Sequence, residues 1–120
     1  VVAQYDRLDV ALVGIGPVRG SPLEASQLLS AAQLAQLEAA GAVGEICGHY
    51  FDAAGRPVDD AYTGCAVGIS WEQLRRCPRL VALAAGPGKG AALRALTRAG
   101  LLHGLVTDEA TARHILAPAA

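Results

Sequence analysis

Apolar residues follow two alternating patterns along the chain. Short continuous apolar runs, which are typical of buried strands, predict strands at residues 9–14, 42–51, 62–69, 80–85 and 101–107. Apolar residues spaced by three and four positions predict helices at residues 31–40, 71–76, 91–99 and 108–116. The segment 17–29 is polar and irregular, and we expect no regular element there.

Capping residues mark the ends of the predicted helices. Ser30 can cap the first helix, and Ser70 with Gln73 has the spacing of a capping box at the start of the second. Thr107 or Asp108 can cap the last one. Glycines at 41 and 100 follow the first and third helices, where a glycine commonly ends a helix.

The predicted order of elements is β-α-β-β-α-β-α-β-α, which is typical of an α/β fold. We expect a Rossmann-like, mainly parallel sheet with helices on both faces. The strands at 42–51 and 62–69 are joined by a short turn, so we expect them to pair as an antiparallel hairpin at one edge of this sheet. With 120 residues the chain is one domain at most, and we expect it to be part of a larger one.

The turn Gly86-Pro87-Gly88-Lys89-Gly90 joins the apolar strand 80–85 to the helix that follows. Glycines let backbone amides approach a ligand closely, and a helix start offers unpaired N–H groups and the positive end of its dipole. Lys89 at this position is unfavourable by roughly 0.3–1 kcal/mol unless an anion lies beside it. The turn therefore indicates an anion site that includes Gly86, Gly88 and Lys89, with a solvated lysine in a surface loop as the alternative.

A second glycine turn, Gly14-Ile15-Gly16, follows the strand at 9–14. Open α/β proteins hold ligands at the carboxyl ends of their parallel strands, so we expect Gly14 and Gly16 to line the same site as Lys89. The turn lacks the third glycine of a dinucleotide fingerprint, which excludes that interpretation.

The remaining polar candidates have simpler explanations. Asp52 is typical of a turn, and Asp108 and Glu109 are favourable in the first turn of a helix. Trp71 is interpreted as a core or interface anchor. The histidines lack the spacing of metal ligands, and we interpret all three as surface or packed residues: His49, His103 and His114.

Composition and charge exclude several classes of protein. Ten Lys and Arg against eleven Asp and Glu give a net charge of −1 without the basic stripe that DNA binding requires. Cys47, Cys65 and Cys77 fit neither a disulfide framework nor a zinc site, and we interpret them as buried free thiols. We expect no cofactor, no metal, no catalytic residue, no membrane span and a cytoplasmic location.

Several of these motifs occur together in a known family. The run 81–86, then Lys89 and the ending Leu-Val-Thr-Asp-Glu-Ala-Thr-Ala at 105–112 resemble the end of the sugar-binding domain of SorC-type bacterial transcriptional regulators. Upstream, residues 14–16, 41–46, 51–55 and 67–70 follow the order of that family, so the resemblance spans nearly the whole chain. Pro87 stands where the family usually has a second glycine.

The resemblance implies the fold shared by glucosamine-6-phosphate deaminase and ribose-5-phosphate isomerase. It implies that the chain is the C-terminal half of a domain about twice as long, without the helix-turn-helix domain of an intact regulator. We expect a homo-oligomer that binds a phosphorylated sugar and acts on DNA through the missing domain. Lys89 would contact the phosphate, and Glu45 would accept sugar hydroxyls or lie as a solvated edge carboxylate. A sugar-phosphate isomerase or deaminase on the same fold is the alternative.

Overall fold

The computed structural model describes residues 1–58 and 67–118. Its strands are β1 (Ala11–Val13), β2 (Ala42–Ile46), β3 (His49–Asp52), β4 (Leu80–Leu83) and β5 (Gly104–Val106). Its α-helices are α1 (Pro22–Ala25), α2 (Ala31–Ala39), α3 (Trp71–Arg76), α4 (Gly90–Arg98) and α5 (Glu109–Leu116), and 3-10 turns cover Val2–Arg7 and Pro87–Lys89. No helix within these described ranges has the length and apolar character needed to cross a membrane.

Three strands form a parallel sheet in the order β1-β4-β5. Val13 lies opposite Ala82, and Ala82 lies opposite Leu105, so the carboxyl ends of all three strands meet at one edge. Helix α4 follows β4 and α5 follows β5, and both helices therefore begin near this edge. The predicted α/β class with a parallel sheet is confirmed.

A hairpin is present, but it is not formed by the two strands that were predicted to pair. Strand β2 pairs with β3, so the run predicted as one strand at 42–51 folds back on itself. The turn is made by Cys47 and Gly48, whose φ angles of 51° and 84° are those that a two-residue hairpin turn requires. Residues 67–69 form no strand, and 62–66 lie outside the described residues.

The hairpin forms a separate two-stranded sheet and does not extend the edge of the parallel one. It meets the chain after β1 through Gly16 and Glu45, which exchange two backbone hydrogen bonds of 2.9 Å. The position of Cys47 in the turn also leaves its side chain exposed, whereas Cys77 is buried as predicted and Cys65 lies outside the described residues.

Most helix ends follow the capping signals in the sequence. The Ser30 hydroxyl accepts a hydrogen bond from the Gln33 amide at 3.2 Å, and the Gln33 side chain accepts one from the Ser30 amide at 2.6 Å. The same capping box forms at the start of α3. Helix α1 was not predicted, although Ser21 caps it and Pro22 occupies its first position, because its single turn leaves no hydrophobic period to detect.

Helix α4 packs on β4 and on the hairpin. Leu93 and Leu96 are fully buried in one cluster with Leu80 of β4. A Cβ added to Gly44 would lie 2.4 Å from the Ala92 Cβ, so the hairpin approaches α4 more closely than any side chain at position 44 allows. This packing fixes the start of α4 relative to the sheet.

One face of the parallel sheet is largely uncovered. Leu12, Leu83 and Val106 keep 69%, 50% and 59% of their surface exposed. The strand register places them on the same face, because Leu12 lies opposite Val81 and Leu83 lies opposite Val106. Apolar side chains on three adjacent strands form the exposed patch that we name the open face.

Candidate functional site

The glycine-rich turn lies at the carboxyl edge of the sheet, between β4 and α4. Gly86 has a φ of 121°, which a residue with a side chain rarely adopts. Pro87 to Lys89 then form one 3-10 turn, in which the Lys89 amide donates to the Gly86 carbonyl at 3.2 Å. The turn is thus ordered by its own backbone, and it sets the start of α4 at Gly90.

Lys89 occupies the N-cap position of α4. Its side chain makes no capping hydrogen bond, and the amides of the first helical turn have no partner within the helix. Among residues 1–58 and 67–118, no carboxylate lies within ion-pair distance of its ammonium group. A half-buried cation therefore lies beside the positive end of a helix without a compensating charge from these residues.

The backbone of Gly86 has a structural partner. Its amide donates to the Thr111 hydroxyl at 3.0 Å, and Thr111 itself is buried in α5. This contact ties the glycine-rich turn to α5. The Gly86 amide is therefore occupied, whereas an added Cβ at Gly88 would meet no atom within 4 Å.

Gly16 and Glu45 contact each other. Besides their paired backbones, one Glu45 carboxylate oxygen lies 3.0 Å from the position that a Cβ on Gly16 would take. The other oxygen accepts the Gly48 amide at 2.5 Å, so Glu45 also closes the hairpin turn. Gly14 is exposed and has open space around it, and it follows β1 at the same edge as the Lys89 turn.

A pocket of about 220 Å3 lies between the glycine-rich turn and α5. Gly86, Pro87 and Gly90 line one side, and α5 with its cap lines the other through Asp108, Ala110, Thr111 and His114. We name this cavity the α5 pocket. Neither His114 nor Thr111 is predictable as a site residue from the sequence, because contacts that join distant segments leave no local pattern.

Asp108 caps α5, as predicted for Thr107 or Asp108. Its Oδ1 accepts the Thr111 amide at 2.7 Å. The backbone amide and the hydroxyl of Thr111, followed by the amides of Ala110 and Gly86, lower the pKa of Asp108 below its usual value. The carboxyl group is therefore ionised at neutral pH and faces the donors at the mouth of the α5 pocket.

Two of the three histidines have structural roles. His49 is buried, with its Nε2 2.7 Å from the Ile69 carbonyl oxygen and its ring edge-on to Trp71. The His103 Nδ1 accepts the Leu80 amide at 3.1 Å. His114 is exposed, as His103 is, and it lines the α5 pocket. Among the described residues, no group of three or more His, Cys, Asp or Glu side chains is arranged to hold a metal ion.

Comparison with known proteins identifies the family. A family model described as "Putative sugar-binding domain" matches residues 1–117. The chain belongs to this sugar-binding domain family. One relative in the family, the erythritol catabolism regulatory protein EryD of Brucella abortus, is 37% identical over 111 residues, which cover 92% of this chain and 35% of EryD.

Solved structures agree with the sugar-binding domain assignment. A DeoR family transcriptional regulator from Listeria monocytogenes has 30% identity and a TM-score of 0.91, over 97% of this chain and 47% of its own. The full-length sorbitol operon regulator SorC from Klebsiella pneumoniae has 26% identity and a TM-score of 0.81, over 94% of this chain and 37% of the SorC chain.

The chain spans about a third of the length of EryD and less than half of either solved chain. All three of these relatives are named as regulatory proteins. The predicted SorC-type resemblance is therefore confirmed.

Proposed function

We propose that this chain is the C-terminal half of an effector-binding domain in a transcriptional regulator. In this proposal a phosphorylated sugar binds at the carboxyl edge of the parallel sheet and controls DNA binding by a separate helix-turn-helix domain in the cytoplasm. Membership of the sugar-binding domain family supports the class of ligand. The share of the relatives that the chain covers supports its being one part of a longer protein.

The position of Lys89 carries the assignment of the phosphate. Lys89 is the N-cap of a helix of nine residues, Gly90–Arg98, and no carboxylate among the described residues lies within ion-pair distance of it. A phosphate placed there would accept hydrogen bonds from the amides in the first turn of α4, and its negative charge would compensate the ammonium group of Lys89. Gly88 leaves room for that approach, because an atom in the position of its missing Cβ would meet nothing within 4 Å.

The sugar would extend from the phosphate along the same edge. Gly14 is open to a ligand, so it remains a candidate for van der Waals contact with the sugar. The backbone of Gly16 and one oxygen of Glu45 are already engaged, which leaves the other Glu45 oxygen to accept a hydroxyl. The Gly86 amide is bound to Thr111, so Gly86 would act through the shape of the turn.

The open face supports both a longer domain and self-association. Leu12, Leu83 and Val106 form an apolar patch on three adjacent strands, and such patches mark contact surfaces. We propose that further chain of the same domain covers this face in the whole protein, which would act as a homo-oligomer. Without that cover, the isolated chain would associate through it.

A melting experiment tests the phosphate site. The wild-type chain would be heated with ribose 5-phosphate, glucosamine 6-phosphate, fructose 6-phosphate and erythrose 4-phosphate, the last chosen because EryD is named for erythritol catabolism. A ligand at a hundredfold excess over its Kd stabilises the folded state by about 2.7 kcal/mol, which raises the melting temperature. We expect at least one member of the panel to give a saturable rise.

Two matched variants decide whether Lys89 is responsible. Lys89→Ala should abolish the rise, while Arg98→Ala, which removes a cation at the other end of the same helix, should keep it. Without ligand, Lys89→Ala should leave stability unchanged or raise it by up to about 1 kcal/mol, and Arg98→Ala should lower it by a similar amount. Loss of several kcal/mol in ligand-free Lys89→Ala would contradict the proposal, because the lysine would then be a structural partner.

A further inference from the structure

The α5 pocket differs in chemistry from the phosphate site at Lys89. Its volume of about 220 Å3 is less than the roughly 300–1,000 Å3 of sites that enclose a whole drug-sized ligand, so it suits one end of a small molecule. Backbone from the turn at 86–90 forms one wall, and the α5 side chains His114 and Thr111 form the other.

A negatively charged ligand group is disfavoured in this pocket because the Asp108 carboxylate already lines it. The Asp108 carboxylate lines the pocket and accepts the Thr111 amide at 2.7 Å, and it lies close enough to the Ala110 and Gly86 amides to interact with them. The amides that would attract a phosphate are therefore engaged by a carboxylate. The bond from the Thr111 amide is the one hydrogen bond of ordinary geometry that Asp108 accepts among the described residues, and a carboxylate can accept about four, so Asp108 can also accept from a ligand hydroxyl.

His114 closes the pocket against the start of α4. A Cβ added to Gly90 would lie 2.1 Å from the His114 Cδ2 and 2.5 Å from its Nε2, so the imidazole occupies the space that any side chain at position 90 would need. The Arg94 guanidinium donates to the His114 carbonyl, which fixes the backbone of α5 at this point. The exposed imidazole of His114 and the ionised carboxylate of Asp108 both line the pocket, and they offer it one group that donates or accepts and one that only accepts.

We propose that the α5 pocket is a subsite for the hydroxyl-bearing end of the effector, in which Asp108 accepts a hydrogen bond from one hydroxyl group and His114 donates one to, or accepts one from, another. This inference rests on the proposed function and divides the ligand between two places. The phosphate lies at Lys89 and the start of α4, and the hydroxyl groups farthest from it lie between Gly90 and α5. In this refinement the α5 pocket replaces Glu45 as their acceptor, and Gly14 lies beside the phosphate end of the ligand.

Titrations with two ligands test the division. The dissociation constants of inorganic phosphate and of the panel sugar phosphate that gives the largest melting shift would be measured by NMR for wild type, His114→Ala, Asp108→Asn and Arg113→Ala. Asparagine keeps the capping oxygen of Asp108, so α5 is retained. Arg113 is an exposed α5 residue paired with Glu109 outside the pocket, and it serves as the control.

The loss of one hydrogen bond should weaken sugar-phosphate binding roughly threefold to tenfold in His114→Ala and in Asp108→Asn. Inorganic phosphate should bind His114→Ala as it binds wild type, and should bind Asp108→Asn equally or more tightly. Arg113→Ala should change neither constant.

Every other outcome overturns the inference. Equal weakening of both ligands by His114→Ala would put the phosphate in the α5 pocket, and unchanged sugar-phosphate binding in both variants would remove the subsite. Weakening by Arg113→Ala as well would make the effect general to α5. If wild type binds neither inorganic phosphate nor any sugar phosphate of the panel, the proposed function itself is contradicted, and the subsite is contradicted with it.

Discussion

Gly90→Ala perturbs the contact between the start of α4 and the imidazole of His114. Gly90 has φ and ψ of −58° and −45°, which are ordinary helical values, so alanine fits the backbone without strain. The added Cβ would lie 2.1 Å from the His114 Cδ2, which is far inside any normal contact distance. The exposed imidazole must therefore move, while the backbone of α4 can stay in place.

Two opposing terms set the magnitude of this effect. Alanine in a helix is preferred to glycine by up to about 1 kcal/mol. Moving a side chain well away from its rotamer costs roughly 0.5–1.5 kcal/mol. In the wild-type background these terms nearly cancel, whereas in His114→Ala only the gain remains. We therefore expect Gly90→Ala to stabilise the His114→Ala chain by about 0.5–1.5 kcal/mol more than it stabilises wild type.

Urea denaturation of wild type, the two single variants and the double variant measures this coupling. Equal dependence on urea in all four proteins would show that the change is in stability rather than in the unfolded state. If Gly90→Ala has the same effect in both backgrounds, His114 does not lie on Gly90. The reasoning about the α5 pocket would then be refuted.

Three further predictions concern the fold. Gly44→Ala should destabilise the chain by about 1–3 kcal/mol, because the added methyl group overpacks the contact with helix α4. The control Gly68→Ala adds a methyl group that meets no atom within 4 Å, and its stability should stay within about 0.5 kcal/mol of wild type. Equal urea midpoints for the two variants would contradict this prediction. Hydrogen bonds to the carboxyl groups lower the pKa of Asp52, chiefly from the Arg56 amide, and that of Asp108, chiefly from the Thr111 amide. The contribution of these two carboxylates to the free energy of unfolding should be complete above the ordinary aspartate pKa of about 4. It should disappear as the pH falls through their lower pKa values in the folded chain. A free energy of unfolding that rises on acidification below pH 4 would refute this expectation. Leu12→Lys should reduce self-association through the open face, and light scattering that shows a strict wild-type monomer would contradict that expectation.

Elements with local signals were predictable from the sequence. Ser30 and Ser70 each hold a capping box with a glutamine three residues later, and both helices begin where that spacing indicates. The parallel strands follow from apolar runs that lead into helices. The hairpin was misassigned because Gly48 looks the same in sequence whether it interrupts a strand or closes a turn, and only the positive φ of Cys47 distinguishes the two.

The site was less predictable because its contacts join distant segments. The Gly86 amide finds the Thr111 hydroxyl 25 residues away, and no periodicity encodes such a pair. One signal was present but went unused. Gly90 follows the turn directly and has an ordinary helical φ, so the backbone does not require a glycine there. A glycine at such a position indicates that another group occupies the space of the missing side chain, and here that group is the His114 imidazole.

The most direct test of sugar-phosphate binding at the carboxyl edge is an NMR titration of the amide signals of the chain with the sugar phosphate that gives the largest melting shift. We predict that the largest saturable changes occur at Gly88, Gly90 and Ala91, with smaller ones at Gly14, and that they vanish in Lys89→Ala. Largest changes at residues away from the carboxyl ends of β1, β4 and β5, or changes that survive in Lys89→Ala, would contradict the account.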